Sequence, residues 1–207
     1  MTRIKLCGLQ DPQLAPVLNE LAVDYVGVIL ADGFRRTVGL ETAQALRAGL
    51  SERISLVGVF VNDSLERIVE VAKSGLLQAI QLHAQASEAA MNARIRAVQQ
   101  ATGLPVIQAY AVTSSEALDR AMRSPADKVM LDGPRAGTGV AFMPQDLSRM
   151  TRPYFLAGGL TAETVGALLE RWWPYAVDVS SAIETAGQKD PVKMRQFVNA
   201  VRDVKFH

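Results

Sequence analysis

Cys7 is the only thiol among 207 residues, so the chain cannot form an internal disulfide, and it reads as a protein kept in a reducing cytosol. Histidine is equally scarce: His83 and His207 are the only two, which excludes a histidine-rich metal centre. An excess of one charge is missing too, since 22 Lys and Arg against 21 Asp and Glu leave +1. That balance gives no broad footprint for nucleic acid or an anionic membrane, while leaving room for a local positive pocket around a small anion. No apolar signal core opens the chain and no run of about 18 uncharged apolar residues follows, so the expected location is the cytoplasm. No Pro/Gly/Ser-rich linker or shift in composition marks a boundary, and residues 1–207 are read as one domain.

What the chain does have is an alternation. Short apolar and β-branched runs recur at Arg3–Cys7, Tyr25–Leu30, Ser55–Val61, Ala79–His83, Pro105–Ala109, Lys128–Asp132, Tyr154–Ala157 and Ala176–Ser180. Between them lie helical patterns such as Leu40–Leu50, Ser64–Ser74, Ser87–Thr102, Ser114–Arg123 and Ala162–Arg171. Asp11 before Pro12, Asn62 to Ser64 and Ser114-Ser115-Glu116 are opening caps. Strand followed by helix, repeated, argues for an α/β protein with a parallel sheet. Eight such units in 207 residues, about 26 each, favour closure into a (β/α)8 TIM barrel at the short end of barrel lengths.

Chemistry in such a barrel sits where strands end and βα loops begin. Gly158-Gly159 after the seventh strand and Ser180-Ser181 after the eighth together favour a phosphate site built from bare N–H groups, although either half alone reads as a turn or a cap. Gly137-Thr138-Gly139 could add donors or serve as a hinge. Cys7, taken alone, is a small buried hydrophobe; at a strand's carboxyl end it becomes a candidate nucleophile or general base once deprotonated. Asp132 is a candidate general acid or a cap for the following turn. Arg36 could clamp a carboxylate or stand as a surface charge, and Asp178 could orient a substrate hydroxyl or satisfy backbone donors. His83 is given no catalytic role, and Trp172-Trp173 reads as packing.

Six blocks, in order, resemble the phosphoribosylanthranilate isomerase family of tryptophan biosynthesis nearly end to end. They are Lys5-Leu6-Cys7-Gly8, Val57-Gly58-Val59-Phe60-Val61-Asn62, Gln81-Leu82-His83, Leu131-Asp132 with Gly137-Thr138-Gly139, Leu156-Ala157-Gly158-Gly159-Leu160, and Asp178-Val179-Ser180-Ser181 with Gly187, Lys189 and Asp190. The resemblance implies an isomerase that performs an Amadori rearrangement of N-(5-phosphoribosyl)anthranilate to 1-(2-carboxyphenylamino)-1-deoxyribulose 5-phosphate. It implies Cys7 as general base, Asp132 as general acid, Arg36 on the substrate carboxylate, and the phosphate on Gly158, Gly159, Ser180 and Ser181. It implies no cofactor, no metal, and a small phosphorylated substrate handled by a monomer or homodimer. Phe34-Arg35 replaces the family's usual Ser-Pro at the aromatic end of the implied pocket. Two alternatives remain: a related aminoaldose or sugar-phosphate isomerase with a different substrate, and a non-catalytic phosphate-binding barrel.

Overall fold

The computed structural model describes residues 1–83, 86–133 and 147–204. Eight strands pair in parallel, each with the next: β1 (Arg3–Cys7), β2 (Tyr25–Ile29), β3 (Ser55–Val61), β4 (Ala79–His83), β5 (Val106–Ala111), β6 (Lys128–Asp132), β7 (Tyr154–Ala157) and β8 (Ala176–Val179). β8 returns to β1 with Lys5 opposite Asp178, so the sheet closes into the expected (β/α)8 barrel. Successive side chains on a strand point to opposite faces. Ile4, Leu6, Val26, Val28, Leu56 and Phe60 therefore belong to the layer beneath the helices. Val57, Ala79, Ile107, Met130, Phe155 and Ala176 fill the barrel axis.

The helices are α1 (Ala15–Glu20), α2 (Leu40–Gly49), α3 (Leu65–Lys73), α4 (Glu88–Thr102), α5 (Ser115–Arg123), α6 (Ala162–Arg171) and α7 (Pro191–Arg202). Local chemistry sets their ends. The side chains of Ser64, Ser87 and Ser114 accept from backbone N–H groups in the first turns of α3, α4 and α5. Asp11 caps the short 3-10 turn Pro12–Leu14 that leads into α1, and Asp190 caps α7 with Pro191 in its first turn. Between β6 and β7 the described residues contain one 3-10 turn, Leu147–Arg149; Gly137-Thr138-Gly139 lies outside the described residues.

Several readings need adjusting: β2 ends at Ile29, one residue before Leu30, and β8 at Val179, one residue before Ser180. β5 starts at Val106, because Pro105 has no N–H to donate, and it runs on to Ala111, which pairs with Asp132. Of the tryptophan pair Trp172 is buried, at 8% exposure with the Arg171 guanidinium over its ring, whereas Trp173 is 63% exposed. After β8 the chain makes a small hairpin, β9 (Glu184–Thr185) with β10 (Gln188–Lys189), joined by Ala186 and Gly187. Both joining residues have positive φ, 50° and 81°, as a tight two-residue hairpin turn demands.

Candidate active site

On β1 the alternation turns Lys5 and Cys7 into the barrel while Ile4 and Leu6 face the helices. Lys5 is wholly buried, and its ammonium lies 2.7 Å from Asp178 Oδ1 on the adjoining strand β8. Cys7 is also buried, two residues above, opposite Gly27 of β2. Gly27 is what makes room for both. A Cβ there would stand 2.6 Å from Cys7 Sγ and 3.0 Å from Lys5 Nζ, so sulfur and ammonium occupy the hollow left by a missing side chain.

This arrangement sets the protonation of the thiol. Burial pushes Cys7 up, since a thiolate loses its hydration, while the Lys5 cation pulls it down and Asp178 opposes Lys5. The net direction is upward, so the resting thiol holds its proton. Burial would also strip Lys5 of its proton, but the carboxylate of Asp178 opposes that and the net direction is upward, so Lys5 stays charged. The buried Lys5 cation beside the sulfur is the influence that favours a thiolate against that burial.

Asp132 closes β6, partly buried, on the inward face it shares with Met130; β7 and β8 separate it from β1 around the ring. The thiol and the carboxyl thus stand at the same end of the barrel on different strands, the placement typical of barrel enzymes. His83 closes β4, and its Nε2 lies 2.6 Å from the side-chain amide of Gln81. Burial and the Lys5 charge lower its affinity for a second proton, so the ring is neutral. Gln81 Oε1 is buried without a hydrogen-bond partner among the described residues.

The Gly158-Gly159 and Ser180-Ser181 pairs follow adjoining strands, since Phe155 of β7 lies opposite Ala176 of β8. Both glycines take left-handed φ, 90° and 63°. A side chain on Gly158 would collide with the Gly133 backbone, with 2.3 Å to its nitrogen, so only glycine brings these two loops together. Thr161 then caps α6 in a reciprocal box with Thr164.

Arg36 is where the sequence reading is extended most. Its stem lies over Gly8, where a Cβ would meet Arg36 Cδ at 2.5 Å and Ser180 Oγ at 3.2 Å, which puts it beside Cys7 and the β8 rim. Its guanidinium binds Glu184 of the hairpin, Nε to Oε1 at 2.6 Å and Nη2 to Oε2 at 3.0 Å. Arg35 joins the same carboxylate at 2.6 Å and donates to the Gly187 carbonyl at 2.7 Å. Lys189 Nζ completes the group, 2.8 Å from Glu184 Oε1 and 2.8 Å from the Ser180 carbonyl. Burial raises the Glu184 carboxyl, but hydrogen bonds from Arg36, Lys189 and Arg35 outweigh it and hold it at about 2. Lys5 and Lys189 appear in the sequence only within motif blocks, and Glu184 carries no motif signal; their partners lie on other elements.

A parallel eight-stranded barrel with an acid and a base candidate at the carboxyl end of its strands, beside a glycine- and serine-lined rim, defines a (β/α)8 enzyme of the phosphate-handling kind. Comparison with known proteins makes the class particular. Residues 4–200 match the family model described as N-(5'phosphoribosyl)anthranilate (PRA) isomerase, and the chain belongs to that family. It is 37% identical over 205 residues to the N-(5'-phosphoribosyl)anthranilate isomerase of Streptococcus gordonii, covering 98% of this chain and 99% of the relative. The Lactiplantibacillus plantarum isomerase is 36% identical over 200 residues, covering 96% and 91%. Among solved structures, the Thermus thermophilus phosphoribosyl anthranilate isomerase superposes with a TM-score of 0.85 at 29% identity, covering 99% of this chain and 100% of that one. Another, at TM-score 0.84 and 28% identity over 98% and 99%, is a phosphoribosyl anthranilate isomerase in complex with reduced 1-(o-carboxyphenylamino)-1-deoxyribulose 5-phosphate. No helix among the described residues is long and apolar enough to cross a membrane.

Proposed function

We propose that this chain is the isomerase of tryptophan biosynthesis that converts N-(5'-phosphoribosyl)anthranilate into 1-(o-carboxyphenylamino)-1-deoxyribulose 5-phosphate, with Cys7 and Asp132 as its proton-transfer pair. One observation carries the reading: in a chain of this family, the only thiol and the carboxyl that closes β6 both stand inward at the carboxyl ends of their strands.

Asp132, protonated, delivers its proton to the furanose ring oxygen as the C1–O bond breaks and the anilino nitrogen lone pair forms the C1=N bond of a Schiff base. Cys7, as thiolate, takes the proton from C2, and the freed electron pair gives the enolamine. Loss of the 2-hydroxyl proton and protonation at C1 yield the ketone, so one proton is delivered and one removed, and the pair resets through solvent. The step needs a thiolate and a neutral carboxyl together. The Lys5 cation, held in place by Asp178, favours the first. Arg36 takes the anthranilate carboxylate and the Gly158-Gly159 and Ser180-Ser181 loops take the phosphate, which fixes C1 and C2 between the two catalytic groups. Asp178, already bonded to Lys5, meets a ribose hydroxyl through its remaining oxygen lone pairs.

The test is the fluorescence of the anthranilate-bearing substrate, which decays when the intact chain turns it over. A steady signal with detectable phosphate-ligand binding would replace the proposal with a non-catalytic barrel. Growth of a strain lacking this isomerase step, restored by the intact chain and not by Cys7→Ser, would extend the result to the cell.

A further inference from the structure

Arginine offers five N–H donors along two usable edges, one formed by Nε with the nearer Nη and one formed by the two Nη atoms. In Arg36 the hydrogen bonds among the described residues all lie on the Nε/Nη2 edge, and all go to Glu184. Among the described residues nothing bonds the second edge, Nη1 with the remaining Nη2–H, which forms a complete bidentate fork. The charge around it favours an anion. Glu184 is one carboxylate shared by three cations, Arg35, Arg36 and Lys189, with the Lys193 ammonium on its backbone carbonyl at 2.7 Å. The hairpin that carries Glu184 is itself fastened to the β8 rim through Lys189 and Ser180.

We infer that Glu184 is the positioning residue for substrate recognition: it grips one edge of Arg36 and thereby aims the other edge at the substrate's aryl carboxylate. It also draws Arg35 onto the hairpin, so of two consecutive arginines only Arg36 is presented to the ligand. The inference rests on the function proposed above and adds a division of labour to it. Glu184 never touches substrate. An arginine without this brace would sample many rotamers and lose that freedom on binding, a cost that falls on affinity and not on the proton transfers.

The experiment uses the full chain with Glu184→Gln and Glu184→Ala, and two ligands read by direct binding: the reduced product analogue, which carries both carboxylate and phosphate, and ribose 5-phosphate, which carries phosphate alone. Loss of a charge-assisted bidentate contact is expected to raise KM and the Kd of the carboxylate ligand by about tenfold or more. The kcat and ribose 5-phosphate binding should stay near wild type. In a double-variant cycle, Arg36→Ala should add little once Glu184 is gone, because the two act as one unit. Should Glu184→Ala fail to fold, Glu184→Gln, of equal size, supplies the same readings. Equal weakening of both ligands would assign Glu184 a merely structural role and overturn the inference, as would an unchanged KM in an active protein. A wild-type chain that binds the carboxylate ligand in a Glu184-dependent way without turnover would overturn the isomerase reading and keep this one. A chain that binds neither ligand would overturn both.

Discussion

The two ends of one barrel are built on opposite principles. At the amino-terminal end, Phe155 sits between Tyr25 and Tyr175 at centroid distances of 5.4 and 5.7 Å, and the two tyrosine hydroxyls bond each other at 2.8 Å. Arg3 and Lys128 cover the Tyr175 ring at 4.4 and 4.7 Å, so even the cations there meet an aromatic face. At the carboxyl end the same interior holds Lys5, Cys7, His83, Asp132 and Asp178, with Arg36, Lys189 and Glu184 above them. One end closes the barrel with rings packed edge-on and tilted against one another; the other gathers ionisable groups whose protonation depends on one another. Stability and chemistry are separated along the strands, and substitutions at the two ends should have separable consequences.

The largest effect is expected for Cys7→Ser and Asp132→Asn. Each should lower kcat by about 10²–10⁴-fold with thermal unfolding little changed, as loss of a positioned acid or base does. Near-normal turnover in either would remove that residue from the mechanism and blur the contrast between the ends. Phe155→Ala should do the reverse: about 3–5 kcal/mol of stability lost in urea titration, and kcat per folded molecule preserved. A large fall in kcat with stability intact would show that the aromatic end shapes the site.

Acid sharpens the comparison further. The folded Glu184 carboxyl lies at about 2 against its ordinary 4.5, so it contributes stability that is fully present above pH 4.5 and disappears as the pH falls towards 2. The difference in urea midpoint between wild type and Glu184→Gln should therefore shrink across that interval, and a constant difference would mean the hairpin carboxylate is not the group titrating. Smallest is Tyr25→Phe, which removes the hydroxyl pair at the quiet end. It should cost about 0.5–1.5 kcal/mol and leave the kinetics alone, measured as a modest shift of the unfolding midpoint.

The strand order was legible because each strand buries both faces and reads as an apolar run between turn signals. Its ends were less so: β5 begins after Pro105 for lack of a donor and continues to Ala111 because β6 is there to pair with it, and pairing is not a local property. The short α1 and the capped α7 lie outside the helical patterns singled out above, although Asp11-Pro12 and Asp190-Pro191 mark their starts. Cys7, Asp132 and Asp178 could be named as candidates from strand-end position and motif, and Arg36 as one from the loop after β2. What they are bonded to could not, since Arg36 and Glu184 are 148 residues apart and Lys5 and Asp178 are 173 apart. A charged residue inside a strand announces a partner without saying which.

Gly27 has no functional group to offer, yet it governs how near a sulfur and an ammonium can come. Alanine there would put a methyl where they stand, and the thiol would have to retreat or the cation lose its seat. The reactivity of the first strand is therefore in the keeping of the second, at a position where any side chain would meet both groups.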